Sequence, residues 1–214
     1  MQNQESDRYK IMLIELFRIL LKIVFNGFMR VKVIDRDKLP KEGAVILTAN
    51  HVGMLDMFMI GYRIPRLVHW MAKEELFKNK LLAKFITSLG AYPLKRGTRD
   101  TSATRTTFEL LEQGEVVGIF SQGTRAKKGQ PRPKAKPGVV KYAFETNTII
   151  QPVAIWGNVR IFGKVYVKFG EPFYIPAPPE GTRYDKNAFA EMAQKVLDDI
   201  YGMMSVPGGE NGNH

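Results

Sequence analysis

The sequence contains no cysteine among its 214 residues. This absence excludes disulfides, a cysteine nucleophile and thiolate metal ligands, and it fits a reducing compartment. Acidic residues are also scarce, because 21 Asp and Glu face 32 Lys and Arg and leave a formal net charge of +11. A basic balance of this size indicates an anionic partner, such as phosphate groups, nucleic acid or an anionic bilayer.

The N-terminal apolar stretch, residues 11–28, is not free of charge. Polar side chains recur in it at steps of three or four, namely Glu15, Arg18, Lys22 and Asn26. A charge at the bilayer centre costs about 2.5–3.5 kcal/mol, which disfavours a spanning helix, and the interrupted run does not resemble a cleaved signal peptide. A helix in the membrane interface fits better, with its apolar face among acyl chains and its basic stripe near lipid phosphates. A helix packed on the core of its own domain is the alternative.

Beyond a polar turn at residues 37–40, apolar runs rich in β-formers alternate with helical patterns. The predicted strands are residues 44–49, 67–71, 116–120, 149–155 and 165–169, and the predicted helices are residues 54–62, 80–89, 101–113, 138–145 and 185–201. This alternation predicts an α/β layered domain with a mixed, largely parallel sheet flanked by helices. We expect an N-terminal interfacial helical segment over residues 1–36, one α/β domain over 37–203 and a flexible tail over 204–214.

A histidine and an aspartate five positions apart follow the first predicted strand. Histidine takes up and returns a proton near neutral pH, and a carboxylate on its second ring nitrogen would fix its tautomer. Positions five apart on one helix diverge by roughly 140°, so His51 and Asp56 can meet only if the chain turns between them, as Gly53 permits. The pattern predicts an acid–base pair. A loop histidine beside a helix-capping aspartate is the alternative.

Two further segments, residues 90–96 and 120–125, place cations after predicted strands. An arginine fork, a hydroxyl and backbone amides beside a glycine all suit a phosphate group. The candidate phosphate-binding residues are Lys95, Arg96, Gly123, Thr124 and Arg125. A solvated basic turn is the alternative for the first segment, and a nucleic-acid patch is the alternative for the basic tract of residues 125–136.

Four motifs in series, at residues 50–56, 90–96, 120–125 and 149–154, resemble those of the glycerolipid acyltransferase family, which includes the bacterial 1-acyl-sn-glycerol-3-phosphate acyltransferases. The resemblance implies an enzyme in which His51 is the general base and Asp56 orients it. It also implies lysophosphatidic acid as acceptor, an acyl thioester of acyl carrier protein or coenzyme A as donor, and phosphatidic acid as product. No metal or cofactor is expected. Gln122 and Pro152 are candidate substrate-positioning residues.

The third motif departs from the family pattern, which reads Phe-Pro-Glu-Gly-Thr-Arg. Here Ser121 and Gln122 replace the proline and the glutamate. Glutamine keeps the size and an acceptor oxygen but loses the charge, so tuned activity and lost activity are both open.

The resemblance implies a peripheral or monotopic protein on the cytoplasmic face of the cell membrane, with no nucleic-acid partner. Because a lysophospholipid resides in the bilayer, we also expect an apolar groove or tunnel for the donor acyl chain. The alternatives within the same family are another acceptor, such as glycerol-3-phosphate or a different lysolipid, and a non-catalytic lipid-binding protein.

Overall fold

The computed structural model describes residues 2–95, 100–126, 129–160 and 162–205, and for residues 2–11 and 13 it describes the backbone alone. Seven strands form one sheet in the order β1-β7-β6-β2-β5-β3-β4. They are β1 (Val31–Ile34), β2 (Val45–Ala49), β3 (Val68–Lys73), β4 (Tyr92–Leu94), β5 (Val116–Phe120), β6 (Ile149–Gly157) and β7 (Val165–Phe169). Neighbouring strands are parallel except for β6 and β7, which confirms the mixed, largely parallel sheet.

Helices cover both faces of this sheet. The described residues form the α-helices α1 (Gln2–Ile23), α2 (Asp56–Gly61), α3 (Lys80–Ser88), α4 (Thr101–Glu112), α5 (Gly138–Glu145) and α6 (Lys186–Gly202). One face packs against α2 and the end of the N-terminal helical segment through Met59, Ile60 and Phe25. The other face packs against α4, α5 and α6, with Val140 and Ile200 completely buried. The α/β layered architecture predicted from the alternation is therefore confirmed.

Strand β2 occupies the centre of the sheet and is buried at every residue. Its sequence, apolar except for Thr48, is typical of a parallel strand that helices cover on both faces. Because β2 and β5 are parallel and in register, their carboxyl ends meet at one edge of the sheet. His51 follows β2 and Gln122 follows β5 at that edge, which is where open parallel sheets bind ligands.

The ends of α4 follow the expected capping chemistry. The Asp100 carboxylate accepts hydrogen bonds from the backbone amides of Lys95, Ser102 and Ala103 at 2.7, 3.0 and 3.1 Å. These bonds, that from Lys95 foremost, favour the charged carboxylate and lower the pKa of Asp100 to about 2. At the other end, Gly114 adopts a φ of +77°, which glycine accommodates without strain.

The N-terminal segment differs from the expectation in one respect. Residues 31–34, predicted to belong to an N-terminal helical segment, form β1 and pair with β7. The helical part of the segment ends at Phe28, after α1 and a π-helical turn over Val24–Phe28. A strand of only four residues is too short for periodicity alone to distinguish it from the end of a helical segment. Most of the predicted tail, residues 206–214, lies outside the described residues.

Within the described part of the chain, no helix combines the length and the apolar character that crossing a bilayer requires.

Gly118 in β5 lies directly against the indole ring of Trp70 in β3. A β-carbon at Gly118 would stand 2.5 Å from a ring atom, and the paired strands hold both residues in place. We therefore expect Gly118→Ala to lower the free energy of unfolding by about 1–3 kcal/mol, measured by denaturant titration. Gly202→Ala, where a β-carbon would meet nothing within 4 Å, is the control and should be neutral or slightly stabilising. Wild-type stability of Gly118→Ala would contradict this account.

Candidate active site

The structure brings His51 and Asp56 together. His51 Nδ1 lies 2.7 Å from Asp56 Oδ2, and the same carboxylate oxygen accepts hydrogen bonds from the amides of Val52 and Gly53 at 2.7 and 2.8 Å. Asp56 is the first residue of α2 and is completely buried. The chain turns between His51 and Asp56, as their spacing predicted. A hydrogen on Nδ1 bonded to this carboxylate leaves the lone pair on Nε2. The pair can therefore accept a proton through Nε2 while Asp56 holds the ring.

Backbone and amide contacts fix the loop that carries His51. The side chain of Asn50 binds both backbone groups of Ile155 at 2.8 Å. The His51 amide donates to Gln122 Oε1 at 3.1 Å, and the His51 carbonyl accepts from the Ala126 amide at 2.8 Å. The loop after β2 is thus tied to both neighbouring strands, β6 and β5. This attachment positions the imidazole without using either ring nitrogen.

The imidazole of His51 stacks at one end of a column of aromatic rings. The His51 ring stacks on Phe120 with centroids 4.0 Å apart, and Phe120 stacks on Trp70 at 4.9 Å. Gly118 provides the space that the indole occupies. The column restricts rotation of the imidazole and connects the site to the interior of the domain.

Trp70 also lines an apolar cavity of about 70 Å³. Its walls come from α1, α2, β3 and the end of α3, and they include Phe17, Phe58 and Ile86. The cavity therefore begins at the far end of the aromatic column from His51. Its lining is predominantly hydrocarbon and aromatic, as suits an alkyl chain.

The predicted phosphate-binding residues divide into two groups. Gly123, Thr124 and Arg125 belong to the loop after β5, and the Ala126 amide joins this loop directly to the His51 carbonyl. Thr124 and Arg125 are exposed beside the histidine loop. Lys95 follows β4 at the same edge, three strand spacings from β2 or roughly 14 Å, so it does not adjoin His51 through the sheet. Arg96 lies outside the described residues.

Gln122 and Pro152 are both buried, so neither side chain reaches the open part of the site. Gln122 Oε1 binds the His51 amide, while Nε2 donates to the Pro133 carbonyl at 3.3 Å and to the Tyr201 hydroxyl at 3.2 Å. Pro152 packs within β6 beside Thr48 of β2. Gln122 therefore acts on the histidine loop rather than on a ligand in the open site.

Both departures in the third motif form contacts that the family residues could not form. The Ser121 amide donates to the Ala49 carbonyl at 3.1 Å, whereas a proline has no amide hydrogen. The Ser121 hydroxyl lies 2.6 Å from that of Thr48. Likewise, an ionised glutamate at position 122 could accept from the His51 amide but has no hydrogen to donate to the Pro133 carbonyl, whereas the glutamine amide does both. The substitutions form a consistent local network.

Two features of the site lie beyond what the sequence indicated. The aromatic column requires Trp70 and Phe120 on neighbouring strands, and the buried end of Gln122 requires Tyr201 from the last helix. Periodicity assigns each of these residues to an element but not to a partner in another element. The missing information was the pairing of β3 with β5 and the position of α6 beside the loop after β5.

Comparison with known proteins gives consistent matches. A family model described as Acyltransferase matches residues 30–156. A 1-acyl-sn-glycerol-3-phosphate acyltransferase of Bacillus subtilis is 33% identical over 160 residues, which cover 72% of this chain and 79% of the relative. An enzyme of the same name from Borreliella burgdorferi is 26% identical over 170 residues, 77% of this chain and 67% of the relative.

A solved structure shares the fold. The crystal structure of the 1-acyl-sn-glycerophosphate (LPA) acyltransferase PlsC from Thermotoga maritima superposes with a TM-score of 0.69. It is 23% identical in sequence, and the match covers 95% of this chain and 85% of that chain.

The contacts of Gln122 generate a prediction that runs against the family pattern. In Gln122→Glu, a buried carboxylate would face the Pro133 carbonyl, with no hydrogen to donate. We expect the free energy of unfolding at pH 7 to fall by about 1–3 kcal/mol. Burial favours the protonated acid, so the folded-state pKa would exceed the unfolded one and the loss should shrink as the pH falls from 7 toward 4.

Denaturant titrations at several pH values measure this effect. Gln130→Glu, the same change at an exposed position in the basic loop, is the matched control and should leave stability within about 0.5 kcal/mol. If Gln122→Glu matched wild-type stability at pH 7, the assignment of the amide contacts would be wrong.

Proposed function

The chain belongs to the acyltransferase family, and from this membership we propose that it transfers a fatty acyl group from an acyl thioester to the sn-2 hydroxyl of lysophosphatidic acid, with phosphatidic acid as product. The family resemblance inferred from the four motifs is thereby confirmed. The names of the relatives support the acceptor. The observation that supports the chemistry most directly is the buried Asp56 carboxylate on His51 Nδ1, which leaves Nε2 available as a base.

The proposed reaction proceeds without a covalent acyl-enzyme. His51 Nε2 removes the proton of the sn-2 hydroxyl, and the oxygen forms the new ester bond to the thioester carbonyl carbon. The tetrahedral intermediate then collapses, the carbon–sulfur bond breaks, and the thiolate of the carrier protein or coenzyme A takes the proton from the imidazolium. Asp56 stabilises that imidazolium electrostatically through the 2.7 Å contact. The chain lacks cysteine and a Gly-x-Ser-x-Gly elbow, which agrees with the acceptor oxygen serving as the nucleophile.

The phosphate of the acceptor would bind to the loop after β5. Gly123, Thr124 and Arg125 support this assignment because the loop is bonded to the His51 carbonyl and presents exposed side chains next to it. Arginine offers a two-pronged contact to phosphate, and the threonine hydroxyl adds a donor. Lys95 contributes from the same edge of the sheet at longer range. The role proposed for Arg96 rests on the second motif alone.

The apolar cavity that begins at Trp70 would receive part of the donor acyl chain, because its volume of about 70 Å³ is well below that of a site for a whole ligand. Burying an alkyl chain is worth about 0.8 kcal/mol per methylene, so an apolar wall offsets the cost of withdrawing the chain from a bilayer. The cavity lies between the N-terminal helix and the sheet and borders α2, the helix that begins at Asp56.

The N-terminal helix supports a position at the membrane interface. Its apolar residues Met12, Leu16, Ile19, Leu20 and Ile23 are each between 51% and 58% exposed. They share one side of α1, while Phe17 on the opposite side contacts Phe58 and Phe85 at ring distances of 5.7 and 5.4 Å. One side of the helix therefore packs on the domain, and a second apolar side faces outward. An outward apolar face of this length suits acyl chains.

Replacement of the proposed base tests the reaction. We expect His51→Ala to lower acyl transfer to lysophosphatidic acid by two to four orders of magnitude, as loss of a general base does. His69→Ala is the matched control, because His69 lies on β3 beside Glu115 and away from the site, and its activity should stay within about threefold of wild type.

Mass spectrometry of the products, with lysophosphatidic acid or glycerol-3-phosphate as acceptor and carrier-protein or coenzyme A thioesters as donor, measures activity and identifies the substrates together. Full activity of His51→Ala would refute the mechanism. Exclusive acylation of glycerol-3-phosphate would refute the proposed acceptor.

Charge placed on the outward face of α1 tests the docking. In Leu16→Glu/Ile23→Glu, two half-exposed apolar side chains become carboxylates, and we expect binding to phospholipid vesicles to fall at least about tenfold. Substitution is preferable to truncation because Phe25, just beyond α1, is part of the core. Tyr174→Glu, at a residue of similar exposure outside the N-terminal region, is the control in the vesicle sedimentation assay. Undiminished binding of the double variant would exclude this face as the membrane contact.

A further inference from the structure

A second cavity, of about 460 Å³, lies where α1 meets the loop after α2. Its size falls within the range typical of ligand sites. In contrast to the apolar cavity it is lined by polar groups, namely Glu15, Arg18, Lys22, Asn26, Arg36, Tyr62 and Arg63, together with Ile64 and Pro65. The polar stripe predicted on the N-terminal helix therefore forms one wall of a cavity, and the α/β domain supplies the opposite wall.

Part of this cavity is occupied in attaching α1 to the domain. Arg18 donates to Glu15 at 2.7 Å and to the Arg66 carbonyl at 3.0 Å. Asn26 Oδ1 accepts from Arg63 Nη2 at 2.8 Å and from the Tyr62 hydroxyl at 3.1 Å. The contact with Glu15 neutralises the charge of Arg18. The bonds of Asn26 fix its own amide and the Arg63 guanidinium, so the cavity has a defined shape.

Three cations of the cavity remain without an acidic partner. Lys22, Arg36 and Arg63 form no ion pair within the described residues. The Arg36 side chain donates from Nη1 to the Arg63 carbonyl at 3.2 Å. Three like charges around one cavity repel one another, and an anion between them would relieve that repulsion. Arginine and lysine are the cationic side chains with which proteins commonly bind phosphate groups.

The position of the cavity relative to the outward face of α1 indicates the source of the phosphate. Lys22 lies on the helix roughly a quarter turn from the centre of the exposed apolar face formed by Leu16, Ile19 and Ile23. When an amphipathic helix lies in the interface with its apolar face down, its flanks lie at the level of the lipid headgroups. A phosphate held by Lys22 and Arg36 would thus be at headgroup level while the acyl chains of the same lipid contact α1.

We propose that this cavity, which we name the Lys22–Arg36 pocket, binds the headgroup phosphate of an anionic bilayer phospholipid that is not consumed in the reaction. The pocket is distinct from the reaction site, because Tyr62 and Arg63 follow the end of α2 whereas Asp56 begins it, about 9 Å away along the helix axis. The inference rests on the proposed docking of α1 to a bilayer. A phosphate bound in this pocket would hold α1, and the apolar cavity beside it, at a fixed depth in the bilayer interface.

The test measures vesicle binding of the full chain in the absence of acyl donor and acceptor. Lys22→Gln/Arg36→Gln lowers the net charge by two, from +11 to +9, without touching the side-chain bonds of Asn26. Arg183→Gln/Lys186→Gln, at two exposed cations near the start of α6, gives the same net charge and serves as the control. Sedimentation with neutral phosphatidylcholine vesicles and with vesicles containing phosphatidylglycerol compares the two variants with wild type, and thermal unfolding verifies that all are folded.

We expect the pocket variant to lose about tenfold or more of the affinity for phosphatidylglycerol vesicles, with little change on neutral vesicles, and the control to lose less than about threefold. Equal losses in both variants would show a diffuse charge effect and overturn the pocket. Calorimetric titration with inorganic phosphate distinguishes the sources, because tight binding of free phosphate without vesicles would overturn the lipid assignment. These measurements do not involve acyl transfer, so a negative result for the pocket leaves the proposed reaction untouched. The docking of α1 is tested separately by Leu16→Glu/Ile23→Glu.

Discussion

The site depends on one carboxylate oxygen. Asp56 Oδ2 is buried and binds three donors, the His51 ring and the amides of Val52 and Gly53. A buried charge is stable only when hydrogen bonds replace its hydration, and these three bonds close the turn that brings the histidine back over the start of α2. The contact that orients the His51 ring therefore also folds the loop. Loss of the carboxylate would affect the turn and the tautomer together.

The sheet determines what this loop can reach. Because β2, β5 and β6 are parallel, their carboxyl ends place the histidine loop, the third motif and the Ile155 backbone at one edge. Gln122 completes the arrangement by linking the His51 amide to the Pro133 carbonyl and to Tyr201 of the last helix. Residues from distant parts of the chain thus hold the loop of residues 50–56, and the neutral amide at position 122 both accepts and donates, which a carboxylate could not do.

How well the sequence predicts a feature depends on how far apart along the chain its interacting residues lie. Local signals succeeded: the periodic runs placed β5 and β7 with their observed bounds. The His51–Asp56 contact was also predictable, because its geometry depends on a turn of few residues. Strand β1, the aromatic column and the partners of Gln122 were not, since each joins segments far apart in sequence, and single-sequence periodicity carries no information on which elements pair.

The N-terminal helix packs on the domain and leaves a second apolar face exposed, so the two alternatives drawn from its sequence do not exclude each other. Its side chains were expected either to pack on the domain or to face a bilayer, and α1 has enough apolar circumference for an inner contact through Phe17 and an outer face through Leu16 and Ile23. The narrow polar stripe between them does not point freely into solvent, because Arg18 and Asn26 bond to the domain. Those bonds fix the rotation of the helix about its axis. Once that rotation is fixed, the outer face and the apolar cavity behind it keep a constant relation to any surface on which the helix lies.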